Sequence, residues 1–464
     1  MDPFLSAFRA HAAADPACAA CVSPARVRTR GDLAAQVESA ATELAGRGVG
    51  PGAVVALSAP PGPAFVAAWL ALRAREACAL LIDSDAAPRE RQRVVQHLGA
   101  GQLWVIEEAF DDAPLPGELT NAGTPSRACL PEISTLKLTS GSTGLPSGVA
   151  VRASELLADS HNLIATMGLS GADRFLCTIP FSHSYGFSLL PASHCLLGAR
   201  LLLPEGRDPL EVARLLGATV LPSVPAWFQA RLGHSGESTL PEHLRLCISA
   251  GAQLSPRTAR AWREQFGRPI HVFYGSSECG GITFDRVGDA AERGSVGTPV
   301  DNVRVELGPM RAGEPLGIVR VSSEAVASGY HPADPERDAR LGLGWFETED
   351  LGRFEGGELL LRGRHSRWIN VKGLKVDPRE VEQALEDLPG LRDVVIVAQV
   401  LPTGHGEALR AIVACDEGAL RYQDVVAWCR SRLAAHKVPR SVVLVHDLPR
   451  NERGKLDRQA LDAL

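Results

Sequence analysis

The chain has 464 residues, of which 45% are hydrophobic and 22% charged, a globular make-up with length enough for two or more domains. Its 48 Lys and Arg against 54 Asp and Glu give a formal net charge of -6, which argues against nucleic acid as a partner but leaves room for a locally positive site. No apolar run approaches the roughly 20 residues of a membrane span, and the first residues lack the basic-then-apolar order of a secretory leader, so a cytoplasmic protein with no membrane span is expected.

Residues 32–47 are amphipathic and predict a helix, closed by Gly48, Gly50, Pro51 and Gly52. A strand over 54–58, a helix over 65–75 and a buried strand over 77–82 follow. The apolar runs 175–179, 200–203, 220–221, 245–249 and 271–274 continue the alternation, which predicts an α/β class with mainly parallel sheet covered by helices. From about Ser295 the runs 303–307, 318–322 and 359–362 sit between Gly and Pro turns and predict an antiparallel β subdomain. A smaller α+β unit follows, with strands at 369–371, 393–398, 411–415 and 441–445 and helices at 378–388 and 422–433. The boundary falls near Gly363–Ser366 and divides a large domain, 1–363, from a small one, 364–464. Ten cysteines include a Cys18/Cys21 pair, but no second pair at zinc-ligand spacing accompanies it, so reduced thiols are expected.

The most informative stretch is Thr139, Ser140, Gly141, Ser142, Thr143 and Gly144, continued by Leu145, Pro146, Ser147 and Gly148. Glycines let backbone N–H groups approach an anion closely, and hydroxyls donate further hydrogen bonds, so the composition suits a polyphosphate cradle. The spacing and the missing lysine separate it from the GxxxxGK[ST] loop.

This stretch resembles the signature loop of the adenylate-forming (acyl-CoA synthetase, AMP-binding) superfamily, and further motifs follow in that family's order. Tyr274, Gly275, Ser276, Ser277 and Glu278 resemble its YGxTE; Gly344 to Asp350 resembles GWFxTGD; Gly363 and Arg364, then Ser366 to Gly373, resemble its hinge; Pro449 to Lys455 resembles its C-terminal catalytic loop. The resemblance implies ATP and Mg2+ as cofactors. Tyr274 would stack on adenine, Ser277 supply a hydroxyl, Glu278 hold the metal on the phosphates, Asp350 accept from the ribose hydroxyls, and Arg364 contact ribose or phosphate. Lys455 would bind the α-phosphate and the substrate carboxylate. It further implies a mobile C-terminal lid that turns about Ser366, with Gly373 lining a tunnel for a pantetheine arm.

The implied activity is ATP-dependent conversion of an aliphatic or aromatic carboxylic acid to an acyl-adenylate, with pyrophosphate release and transfer to the thiol of CoA. Two alternatives stand beside it: loading of a phosphopantetheine carrier, such as an acyl carrier protein, and a catalytically weak nucleotide-binding or regulatory relative. His183, Trp227 and Gly251 fall in segments that match the family's acyl pocket, and Phe181, Ser182 and His183 offer no Asp for an amino-acid substrate. The sequence departs from the family at Ser147, where PKG has its lysine, at Glu349, where TGD has its glycine, and at the hinge, in Ser366, Arg367 and Asn370.

Overall fold

Short runs of branched and small apolar residues become strands buried on both faces. Val54–Ser58 and Cys78–Ile82 are covered along their whole length, as parallel strands between helices require. The computed structural model describes residues 2–122, 131–139, 146–233, 239–308, 316–342, 344–364, 369–371, 374–376, 378–400, 407–433, 435–450, 456–457, 460–461 and 463–464. These form two compact units: Met1–Glu306 with Arg320–Glu347 and Phe354–Leu360, and Leu307–Val319 with Thr348–Arg353 and Leu361–Leu464.

The first unit holds two large sheets. One runs in the order Gly329–His331, Ser147–Arg152, Ile133–Thr139, Cys78–Ile82, Val54–Ser58, Gln102–Val105, Glu118–Asn121. The other runs Thr298–Pro299, Gly280–Phe284, Ile270–Ser276, Leu246–Ser249, Val220–Ser223, Arg174–Leu176, Arg200–Leu202, Ala19–Val22, Val27–Thr29. Each has a parallel centre and antiparallel flanks. The expected mainly parallel arrangement therefore holds at the centres, while hairpin neighbours such as Ile133–Thr139 and Ser147–Arg152 add antiparallel edges.

Helix Pro63–Ala74 is buried from Pro63 to Arg73, apolar on nearly every side, as a helix enclosed in a core must be. Its Phe65 and Trp69 rings meet Phe181 and Phe187 at centroid distances of 5.3 and 5.0 Å, and Phe4 packs on Trp69 at 5.3 Å. Helix Arg30–Gly46 begins two residues before its expected start because Thr29 caps it, accepting from the Asp32 N–H while Asp32 accepts from the Thr29 N–H. No helix among the described residues is long and apolar enough to cross a membrane.

In the second unit, Leu391–Val400 pairs antiparallel with Glu407–Cys415, which pairs parallel with Ser441–Val445. Helices Pro378–Leu385 and Tyr422–Arg430 pack on this sheet around Val381, Leu385, Leu409, Val413 and Val425. The Trp428 indole N–H donates to the Ala384 carbonyl at 2.8 Å and locks one helix to the other. Arg450 and Leu456 pair as an isolated antiparallel bridge, and the Asp457 N–H donates to the Pro449 carbonyl at 2.9 Å.

Asp2 ties local structure to packing in the first unit. Its Oδ1 caps helix Pro3–Ala14 through the Phe4 and Leu5 N–H groups, and its Oδ2 accepts from the buried Arg73 Nε at 2.9 Å. Asp2→Ala removes the cap, worth about 1 kcal/mol, and strands a buried guanidinium, worth a further ~3 kcal/mol. Asp2→Asn keeps the cap and loses only the charge, so denaturant titration is expected to rank it between wild type and Asp2→Ala.

Candidate active site

Open α/β sheets bind ligands outside the carboxyl ends of their parallel strands, and two of the expected site residues, Thr139 and Ser277, lie at such ends. Asp83 follows strand Cys78–Ile82, Thr139 ends strand Ile133–Thr139, and Ser277 follows Ile270–Ser276. The segment after Ile179 reaches the first and the last of these, and strand Leu246–Ser249 besides. His183 Nε2 lies 3.0 Å from Asp83 Oδ2, Ser184 Oγ lies 2.7 Å from Ser277 Oγ, and the Tyr185 hydroxyl donates to the Ile248 carbonyl at 3.2 Å. Asp83 is itself held: its Oδ1 accepts from the Asp85 N–H at 3.2 Å and its carbonyl from Ser58 Oγ at 3.1 Å.

The turn from Tyr274 to Glu278 depends on glycine. A side chain at Gly275 would approach the Gly280 carbonyl oxygen to 2.6 Å, and Gly280, at φ +70°, would drive one into Asp159. Asp159 in turn accepts from the Gly281 N–H at 2.9 Å. This close packing projects Glu278 toward strand Gly329–His331, where the Tyr330 hydroxyl donates to Glu278 Oε1 at 2.8 Å. Burial, then the Glu278 carboxylate, holds the Tyr330 phenol far above its usual pKa, so it stays a neutral donor. Arg337 Nη2 lies 3.7 Å from the same oxygen and donates to Thr139 Oγ1 at 3.2 Å, and its guanidinium covers the Tyr330 ring at 4.0 Å.

Two more ionisable groups lie close by. Lys137 is 2% exposed, its ammonium 3.4 Å from Ser188 Oγ; burial lowers its pKa, against the pull of Asp159, Cys279, Glu155 and Glu278. Cys279 is fully buried beside Ser276 Oγ at 3.3 Å, and burial pushes its thiol far up.

Thr139, Ser277, Glu278 and His183 are thus joined to one set of strand ends, Ser277 and His183 through Ser184 and Asp83. Tyr274 and Gly275 lie on the strand that leads into the turn. Trp227 sits on helix Pro225–Ala230 and packs on Phe228 and Trp262 at 5.4 and 6.3 Å, under the Arg231 guanidinium. Gly251 adopts φ +85° against Val224, at the start of that helix. Asp350 belongs to the second unit, where its N–H donates to Thr348 Oγ1 at 3.0 Å. Arg364 is described in its backbone, at the end of strand Glu358–Arg364. Ser140, Gly141, Ser142, Thr143, Gly144, Ser366, Gly373 and Lys455 lie outside the described residues, although the Arg450–Leu456 bridge brackets Lys455 in sequence. Sequence reasoning missed Asp83, Lys137, Tyr330 and Arg337. Only Lys137, a lone cation in an apolar run before Thr139, carried a local signal.

Glu278 offers hard oxygen donors of the kind magnesium takes. Among the described residues no group of three or more His, Cys, Asp or Glu could hold a metal by itself.

The sequence model for AMP-binding enzymes matches residues 8–331, and that for the AMP-binding enzyme C-terminal domain matches 380–455. The 4-hydroxybenzoate--CoA/benzoate--CoA ligase of Rhodopseudomonas palustris is 30% identical over 382 residues, 76% of this chain and 70% of that protein. The oxalate--CoA ligase of Arabidopsis thaliana is 29% identical over 471 residues, 91% of this chain and 90% of that one. Among solved structures, ATP-bound MatB from Rhodopseudomonas palustris superposes with a TM-score of 0.85 at 22% identity, over 98% of both chains. The amide bond synthetase McbA from Marinactinospora thermotolerans gives 0.82 at 25% identity, over 99% of both.

Tyr330→Phe removes one donor from a partly buried carboxylate and leaves the ring under Arg337 in place. Thermal or chemical unfolding is expected to show a loss of about 1–2 kcal/mol.

Proposed function

We propose that this chain, which belongs to the AMP-binding enzyme family, is an acid–thiol ligase that activates a carboxylic acid with ATP and transfers it to CoA. The observation that carries this reading is the joining of Thr139, Ser277, Glu278 and His183 to neighbouring strand ends by Ser184, Tyr330, Asp83 and Arg337. The CoA ligases among the relatives support CoA as the acceptor.

In the first half-reaction a carboxylate oxygen attacks the α-phosphorus, and the bond to the bridging oxygen breaks as pyrophosphate leaves. In the second, a thiol sulfur attacks the acyl carbon, the acyl–phosphate bond breaks, and AMP leaves; the thiol proton passes to solvent. Both partners of the first step are anions, so catalysis rests on holding them together and on countering charge. On this reading Glu278 holds Mg2+, and the ion supplies charge neutralisation on the phosphates. Tyr274 stacks on adenine, while Asp350 and Arg364 hold the ribose side. Ser277 contributes its hydroxyl, positioned by Ser184. Lys455 bridges the α-phosphate and the carboxylate in the first half-reaction, and Ser366 and Gly373 serve the second as pivot and tunnel lining.

The acid is aliphatic or aromatic. His183 forms part of its pocket, and the nearest acidic group, Asp83, is already taken by His183 and the Asp85 amide. An ammonium group on the substrate would have to compete for it.

Acid-dependent exchange of label between pyrophosphate and ATP, run over benzoates, dicarboxylates and fatty acids, tests the first half-reaction. Exchange is expected with at least one acid, and none with any acid would refute the ligase reading. Addition of CoA to the active acid should then give a thioester; a holo-carrier that is acylated in its place would reassign the acceptor. Lys455→Ala is expected to slow exchange by roughly 10²-fold or more while sparing thioester formation from supplied acyl-adenylate. Equal loss in both steps would contradict its role.

A further inference from the structure

The hydroxyl-rich segment carries no charge of its own. From Leu138 to Val151 the sequence contains neither a basic nor an acidic residue. A polyphosphate held there needs a cation from elsewhere in the fold, the more so because Ser147 stands in the segment as a neutral side chain.

Two flanking cations are otherwise engaged. Arg152 pairs with Glu132 and Glu155, at 3.2 and 3.8 Å. Lys137 points into the core toward Ser188.

Arg337 is placed differently. Thr139 and Ser147 face each other on one rung of the antiparallel ladder that flanks the segment. Thr139 Oγ1 donates to the Ser147 carbonyl at 3.3 Å and accepts from Arg337 Nη2 at 3.2 Å, so the guanidinium is fixed to that rung. The ladder carries it there: Gly329–His331 pairs with Gly148–Ala150, and helix Pro335–Asp338 follows. Asp334 caps that helix by accepting from the Arg337 N–H, and Asp338 accepts from the Tyr330 and Asp334 N–H groups. The side chain then lies over the Tyr330 ring, with Nη2 near Glu278. Its contacts with Thr139 and Glu278 both use Nη2, and a planar guanidinium carries five donors in all, with capacity for further acceptors.

We propose that Arg337 is a catalytic residue that grips the β- and γ-phosphates of ATP, and the leaving pyrophosphate, at the rung formed by Thr139 and Ser147. Its contact with Glu278 keeps it in place before ATP arrives. Phosphate oxygens then take the donors left over, and the positive charge offsets what builds on pyrophosphate as the α–β bridge breaks. The assignment rests on the reading above that this site takes ATP.

The test is calorimetric binding of ATP, pyrophosphate and AMP, each with magnesium, to full-length wild type, Arg337→Ala and Arg337→Met. The methionine variant keeps an unbranched side chain over Tyr330, and thermal unfolding of each variant checks the fold. Affinity for ATP and pyrophosphate is expected to fall about tenfold or more, the scale of a lost charge-assisted contact, with AMP within about twofold of wild type. A parallel fall for all three ligands would mark Arg337 as a structural clasp and overturn the proposal, as would unchanged ATP affinity in both variants. Wild type that binds ATP but exchanges with no acid would refute the ligase reading alone; wild type that binds none of the three would overturn both.

Discussion

The segment from Phe181 to Gly186 holds the first unit's site together. Three consecutive side chains reach three different strand ends: His183 to Asp83, Ser184 to Ser277, Tyr185 to Ile248. Its conformation leaves no choice at Gly186, where a Cβ would collide with the Pro180 carbonyl. Phe181 at its start and Phe187 just beyond its end are fully buried against the central helix Pro63–Ala74. The polar contacts are therefore set by apolar packing on either side, and a change in that packing would displace several site residues at once. Rigid support of this kind is what near-attack geometry demands.

Charge is distributed around the site by the same economy of placement. The sequence after Thr139 is rich in hydroxyls and carries no charge, Glu278 is a carboxylate, and Arg337 reaches both Thr139 and Glu278. Tyr330 serves both charged partners, donating to the anion through its hydroxyl and facing the cation with its ring. A neutral sequence beside one anion and one cation suits, on the proposed reading, a ligand whose charge is divided during the reaction, part leaving with pyrophosphate and part staying with AMP.

Much of this was legible in the sequence because it is local. The strand over 54–58 announces itself by its apolar composition, and the run from Tyr274 to Glu278 by its resemblance to a family motif, each within a few residues. The helix that begins at Arg30 was misjudged by two residues, since its start is set by a reciprocal cap and not by its apolar face. What stayed hidden is non-local. Arg337 meets Thr139 across 198 residues, and Asp83 meets His183 across 100. In the sequence Ser147 reads as a lost charge; that a cation stands on the opposite side of the same rung depends on strand order, which no window of residues contains. Trp227 shows the converse, a residue assigned to a pocket by motif whose described ring contacts lie with Phe228 and Trp262.

The buried thiols bear on the chemistry in another way. An enzyme that holds an acyl-adenylate carries an electrophile able to acylate any thiolate within reach, its own included. Cys279 is the immediate neighbour of Glu278, yet it is sealed from solvent with its proton firmly bound. Cys177, Cys195 and Cys247 are likewise buried and likewise held as thiols. On the proposed reading, these four thiols would compete poorly for an acyl-adenylate against a thiol that arrives from outside.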